Sequence, residues 1–298
     1  LKRSLGDNIF NIVNYIIMLI IAVCTLYPFL HVLAVSFNDS IDTVRGGITI
    51  VPRVFTLENY KKILDDPSIG WATFISALRT LIGTALGIFS TSMLAYVLSR
   101  QDFFARKFVS ALFVTTMYIS GGMIPGYMLM RNLNLINSFL VYIIPGLISA
   151  FNVIILRSYI EGLPIALQES AKLDGANDFI IFAKIIMPLC VPAIATLSLF
   201  IAVGHWNSWF DTYLYCGHNK RLTTLQFELQ KILVNAQVQL TSSQDIHSYG
   251  LNKAQAKTVS PESIRMAMTV VATVPILLVY PFVQKYFVQG LVLGAVKN

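Results

Sequence analysis

Charge is the scarcest ingredient of this sequence: Asp, Glu, Lys and Arg make up only 12% of its 298 residues, against roughly 25% in a soluble globular domain. A chain so short of charge and 55% hydrophobic suits lipid better than water. Cysteine is nearly absent too, and Cys24, Cys190 and Cys216 are an odd, widely spaced set that supports neither a disulfide framework nor a zinc site. There is no G-x-x-x-x-G-K-[ST] phosphate loop, no H-E-x-x-H and no G-x-S-x-G, so no catalytic, metal-binding or nucleotide-binding residue is assigned. Alternating barrel strands are missing as well. The net charge of +7 is scattered over loops and span ends, which fits a headgroup-facing surface and speaks against a nucleic-acid patch.

What the sequence does have is long runs free of charge. A bilayer core needs about 20 mostly apolar residues per helix, and six runs meet that length: 8–38, 80–99, 108–130, 132–156, 185–210 and 266–284. Backbone groups in lipid must be satisfied within the segment, so all six are expected to be helices. The fold class that follows is all-α integral membrane, with residues 1–298 forming one polytopic domain. The first run is too long for the core of a signal peptide and no small-residue cleavage site follows it, so it reads as a retained helix. The chain opens on Leu1, which leaves room for residues before it.

Short loops carry the orientation signal. Arg100, Arg106 and Lys107 lie in one short loop, whereas the short loop near 132–137 has only Arg131 beside it. The positive-inside rule therefore places 100–107 in the cytoplasm, and with six spans both termini, bearing Lys2, Arg3, Lys285 and Lys297, fall on the same side. Two long segments, about 38–73 and 211–263, then lie outside. In the first, Thr56 can cap a helix carrying Leu57, Tyr60 and Leu64 on one face; in the second, Leu225, Leu229, Ile232 and Ala236 form a stripe. Either helix suits a membrane surface, and the second equally suits an external partner. The polar stretch 238–263 reads as a mobile loop.

Inside lies the loop from 157 to 184, centred on about 161–182, and it contains the sequence's one sharp signal. Pro164 suits a first helical turn, and Leu163, Leu167 and Ala171 recur every four residues on one side, with Glu169 and Lys172 on the polar sides. Gly175 follows Asp174 where a residue of positive φ would close the helix, and Asn177 or Asp178 can cap the next. The small residues Ala166, Ser170 and Ala171 would admit another protein's surface, and Glu169 would offer it a charge.

The spacing Glu169-Ser170-Ala171, Gly175, Ile185, Met187-Pro188 resembles the cytoplasmic coupling loop of ABC importer permeases. Ser170 and Met187 replace that pattern's Ala and Leu, both small or volume-conserving changes. The stretches "PRVFTLENYKKIL" and "WNSWF" and the tail "YPFVQKYFVQGLVLGAVKN" look like sugar-uptake permeases, on the side of the second permease of the maltose-type importer. The resemblance spans nearly the whole chain. It implies the ABC importer permease fold, with six transmembrane helices and a cytoplasmic coupling helix, in a bacterial cytoplasmic (inner) membrane. It also implies a second permease, a dimer of ATPase subunits that bind the ATP and Mg, an extracytoplasmic solute-binding protein, and a saccharide substrate. Coupling to the ATPase would fall to Glu169, Ser170, Ala171, Lys172, Asp174 and Gly175, and residues 294–298 would reach toward that interface. Similar chains include importers of uronate-containing oligosaccharides, so an acidic, alginate-like saccharide is expected.

Near the outer end of the fifth run, Trp206 and Trp209 could stack on sugar rings while Asn207 and Asp211 bond hydroxyls; an interfacial aromatic belt accounts for the same residues. His31 and His205 read as packed, hydrogen-bonded side chains rather than proton relays. The competing function is an ion-coupled secondary transporter, which would need an ionisable site deep in a span. Arg79, Arg157 and Asp211 fall at the edges of the runs, which disfavours it.

Overall fold

A computed structural model describes residues 5–234 and 261–295 of the chain. Among these residues the secondary structure is helical, with one isolated antiparallel bridge between Asn38 and Phe55. The chain divides into two units, Leu1–Ile69 with Leu229–Pro275, and Gly70–Glu228 with Ile276–Asn298. The expectations for 238–260 and for 296–298 lie outside the described residues, as do Ala236, Lys2, Arg3 and Lys297.

The first unit opens with α1 (Leu5–Ser36), apolar all round; none of its best spanning window, within Ile9–Ser36, is buried by the rest of the chain. A helix of this kind needs lipid or a partner helix as its surroundings. Two short helices follow, α2 (Ser40–Val44) and α3 (Glu58–Leu64). They are held by two fully buried asparagines whose polar atoms are all engaged, as burial of an amide requires. The Asn38 carbonyl oxygen accepts from the backbone of Arg53 (2.8 Å) and Val54 (3.0 Å). The Asn59 amide donates to the carbonyls of Ser36 (2.9 Å) and Asn38 (3.0 Å), and its oxygen accepts from Ser40 Oγ (3.1 Å). This knot corrects the expected face of α3: Asn59 and Ile63 point inward, while Leu57 and Leu64 are exposed. Thr56 lies one residue ahead of the N-cap position, its Oγ1 accepting from the Glu58 backbone N–H at 3.2 Å.

In the second unit the long helix α4 (Pro67–Ser99) begins well before residue 80, because the apolar pattern continues upstream of Arg79. The third run is broken into α5 (Arg106–Tyr118) and α6 (Met123–Asn132), bent by 120°. Gly122, at φ +83° and ψ 176°, makes that reversal possible, a conformation essentially confined to glycine that costs a residue with a Cβ about 1–3 kcal/mol. The fourth run becomes 3-10 turns over Phe139–Gly146, containing Pro145, and then α7 (Ala150–Glu161), at 47°. The fifth becomes α9 (Asp178–Leu189) and α10 (Val191–Asn207), bent by 81° around Cys190 between Pro188 and Pro192. Between α7 and α9 lies α8 (Ala166–Leu173). After α10 come α11 (Phe210–Cys216), α12 (225–234) and α13 (Pro261–Ala295).

Among the described residues three helices are long and apolar enough to cross a membrane alone, and up to six spans result if each bent pair counts as one. The six expected runs are kept, and the third, fourth and fifth are bent within the run. Proline removes a backbone donor and clashes with the preceding turn, so the hydrogen-bond ladder yields beside it. A π turn at Phe182–Ile186 leads into Pro188, an irregularity of the same origin. Non-helical backbone of this sort is tolerated at membrane depth only inside protein or along a cavity.

The core of the second unit is built where the breaks meet. Val153 and Leu156 of α7, Ile181 and Ile186 of α9 and Leu197 of α10 are fully buried together with Ala95 and Leu98 of α4. A second cluster gathers Ile75, Met130, Val141, Tyr142 and Cys216.

Candidate functional site

The loop between α7 and α9 is shorter than its sequence suggests, because Arg157 belongs to α7 and Lys184 to α9. What remains is a turn, α8 and a second turn, each closed by a definite hydrogen-bond pattern. Pro164 opens the segment, its carbonyl accepting from Leu167 N–H at 3.2 Å. At the other end Gly175 adopts φ +81°. Its N–H bonds the Lys172 carbonyl (3.0 Å) and the Ala176 N–H reaches back to Ala171 (2.9 Å). These two bonds are the paired contacts of a Schellman closure, which needs a left-handed residue at this position. Asn177 then caps α9, its Oδ1 accepting from Ile180 N–H at 2.9 Å.

Ala171 is buried in the core of the second unit, so its small side chain lets α8 sit down on its own protein; it is not free to admit a partner. Leu167, expected on the same buried stripe, is 38% exposed, and Ile165 and Leu173 are more exposed still. Glu169 and Ser170 face outward; Ser170 Oγ bonds the Leu167 carbonyl, and among the described residues Glu169 has no ion-pair partner. The exposed side of α8 therefore combines apolar side chains with one free carboxylate.

Lys172 is instead tied to its own chain, 3.7 Å from Asp102 and 3.9 Å from Asp178. Arg100 completes this network: it forks onto Asp102 (3.0 and 2.7 Å), donates to Gln168 Oε1 (3.2 Å) and lies 3.5 Å from Asp178. The Arg100 hydrogen bonds pull the Asp102 carboxyl down to a pKa of about 2. Beside it, Glu161 accepts from both Arg106 (2.6 Å) and Arg157 (2.8 Å). Arg100, Asp102, Arg106, Glu161, Gln168 and Lys172, with Glu169, line an open cavity of about 640 Å³. Two links, Arg100 to Gln168 and Lys172 to Asp102, join α8 to the residues that follow α4.

The residues expected along a substrate path are not brought together. Trp206 is buried, Asn207 accepts from Gln226 Nε2 (3.3 Å), and Trp209 packs edge-on against Phe210 with ring centroids 5.7 Å apart. Asp211 lines a pocket of about 310 Å³. There it is ion-paired with Arg79, whose side chain is 3% exposed and whose guanidinium lies 4.4 Å from the Tyr142 ring centre. Ser208 Oγ and the Thr212 N–H also donate to Asp211 (3.0 and 2.8 Å). His205 lines the same pocket and packs so tightly on Gly83 that a Cβ there would lie 2.4 Å from the ring. Sequence reasoning missed Arg79 and Tyr142. Arg79 had ended a charge-free run, although Trp71, Phe74, Ile75 and Leu78 before it continue the same apolar helix.

No family model matches the chain. Individual relatives do, along their whole lengths. The polygalacturonan/rhamnogalacturonan transport system permease protein YtcP of Bacillus subtilis (strain 168) is 38% identical, covering 98% of this chain and 99% of that protein. The arabinooligosaccharides transport system permease protein AraQ of the same organism is 29% identical over 100% of both. A solved structure of a bacterial ABC transporter involved in the import of the acidic polysaccharide alginate superposes with a TM-score of 0.83 at 28% identity, covering 96% of this chain and 99% of that one. The chain is a multi-pass membrane permease subunit with the ABC importer fold. It belongs to the family of permease proteins of sugar ABC transport systems.

Proposed function

We propose that this permease passes an acidic oligosaccharide, one bearing uronate rings, across a bacterial cytoplasmic membrane. The observation that carries the substrate class is full-length similarity to two proteins that handle acidic polysaccharides, the polygalacturonan/rhamnogalacturonan permease and the alginate transporter. Like the machines of that family, it works beside a second permease and above a pair of ATP-hydrolysing subunits, which hold the ATP and Mg, and it receives its cargo from an extracytoplasmic binding protein. The chain acts as one permease domain with α8 and both termini in the cytoplasm; the Arg100, Arg106 and Lys107 cluster supports that orientation.

In this reading α8 is the coupling helix. Glu169 presents its carboxylate to basic groups of an ATPase subunit, and the exposed Ile165, Leu167 and Leu173 fill an apolar cleft around it. Ser170 joins that surface; Ala171, Asp174 and Gly175 fix the angle of the helix, and Lys172 ties it to the permease body. ATP favours the closed ATPase dimer, α8 moves with it, and the broken spans exchange inward-open for outward-open arrangements. Such a shift needs only that ATP bind the two states unequally.

Uptake by the complete importer in proteoliposomes tests the proposal. With its binding protein and ATP, it should accumulate oligogalacturonates or oligoalginates in preference to neutral maltodextrins of equal length. Equal uptake of both, or a preference for the neutral series, removes the acidic assignment. Uptake that ignores ATP and follows an ion gradient removes the ABC mechanism.

A further inference from the structure

The pocket that holds Arg79 is not explained by coupling. Arg79 stands in the interior of α4, 3% exposed, where an isolated charge would be costly. Asp211 neutralises it from the start of α11, beyond the break that ends α10 at Asn207. The pairing is incomplete: Arg79 donates from its terminal nitrogens to Asp211 and to the Ser208 carbonyl (3.3 Å), but its Nε is buried with no hydrogen-bond partner. A buried unsatisfied donor on a charged group costs more than a neutral one, so Asp211 leaves the guanidinium under-satisfied, and Arg79 stands in that state on the wall of a pocket.

The pocket has the other properties of a sugar subsite. Its volume, about 310 Å³, is at the lower end of the roughly 300–1,000 Å³ of small-ligand sites, enough for about one ring. Tyr142, Tyr215 and His205 are among the residues that line it, and Gly146 and Gly204 keep two walls low. Tyr215 is itself steadied by stacking on Tyr127 with the planes 6° apart. Asp211 is the looser partner, its side chain 22% exposed.

We propose that this pocket is a uronate subsite in the permease, in which Arg79 takes the sugar's carboxylate and Asp211 occupies that place between transport events. A guanidinium recognises carboxylates in a fork, so the two acids compete for one partner. When the uronate arrives, Asp211 is released to accept from the sugar's hydroxyls, and the Arg79 charge is never left bare. Exchange of one carboxylate for another keeps binding shallow, as passage requires. The inference rests on the acidic-substrate reading above and adds the residues that discriminate.

The test uses the whole importer in proteoliposomes, with oligogalacturonate and a neutral oligosaccharide of equal length. The double variant Arg79→Gln with Asp211→Asn removes both charges while leaving a neutral amide at each position to hydrogen-bond its partner. It should lose about tenfold or more of its uronate uptake, the loss expected for one charge-assisted contact, and retain neutral uptake. Asp211→Asn alone, which removes the competitor, should lower the KM for the uronate without lowering it for the neutral sugar. Should the double variant fail to assemble, Arg79→Lys, which keeps the charge and loses the fork, should show the same selective loss. Equal losses for both sugars would make the ion pair a structural brace, and unchanged uptake of both would leave the pocket without a role in transport. A wild-type importer that rejects uronates would instead overturn the substrate reading itself, which separates the two failures.

Discussion

Gly175 shows what one residue contributes to the coupling segment. A Cβ built there meets nothing within 4 Å, so side-chain bulk is not what the position forbids. Its φ of +81° is, since a residue with a Cβ gives up about 1–2 kcal/mol to adopt it. Alanine and leucine should therefore be penalised alike through the backbone. Asp102 offers a check by pH. Its carboxyl is held at about 2 by Arg100, below the 3.8 of a free side chain, so the stability it adds is present above the unfolded value and fades as the pH falls from about 3.8 towards 2. The difference in thermal midpoint between wild type and Asp102→Asn should stay level at neutral and mildly acidic pH and shrink only below about 4. A difference that closes near pH 6 would show that the Arg100 fork does not form.

At the scale of elements, α8 is short and leans on its ends. Eight residues are too few for a helix to be stable in isolation, so closure by Gly175, burial of Ala171 and the cap on the next helix have to hold it. Replacing Asn177 by alanine removes that cap and should cost about 1 kcal/mol. Amide exchange should then quicken at the start of α9 before it does so in α10; uniform exchange across both would place the stability elsewhere. These end signals were legible in the sequence because they are local: Pro164, Gly175 and Asn177 act within a few bonds. The breaks in the spans were not legible, because Pro28 sits within α1 while Pro188 and Pro192 flank an 81° bend. Whether proline bends or breaks a helix depends on which neighbours take up the freed carbonyls, and that is settled by packing.

Over the whole molecule, apolar composition announced a membrane protein and six runs, and the count of spans agrees when the bent pairs are taken as single crossings. The inside of those runs stayed hidden. Defining spans by the absence of charge placed Arg79 at an edge, where the folded chain buries it and pairs it with Asp211, 132 residues away in sequence. A pairing at that separation leaves no periodic trace, so the pocket beside it could not be read in advance. That pair also removes the earlier argument against ion coupling, which assumed spans free of charge; membership of the sugar ABC permease family takes its place.

In the proposed mechanism α8 is the part that receives motion. The most direct measurement is ATP hydrolysis by the reconstituted importer, stimulated by its loaded binding protein, in Glu169→Ala and Gly175→Leu. The complex should still assemble, while stimulated hydrolysis and uptake both fall by about tenfold or more as the docking charge or the angle of the helix is lost. Wild-type stimulation in both variants would mean that force enters the permease somewhere else.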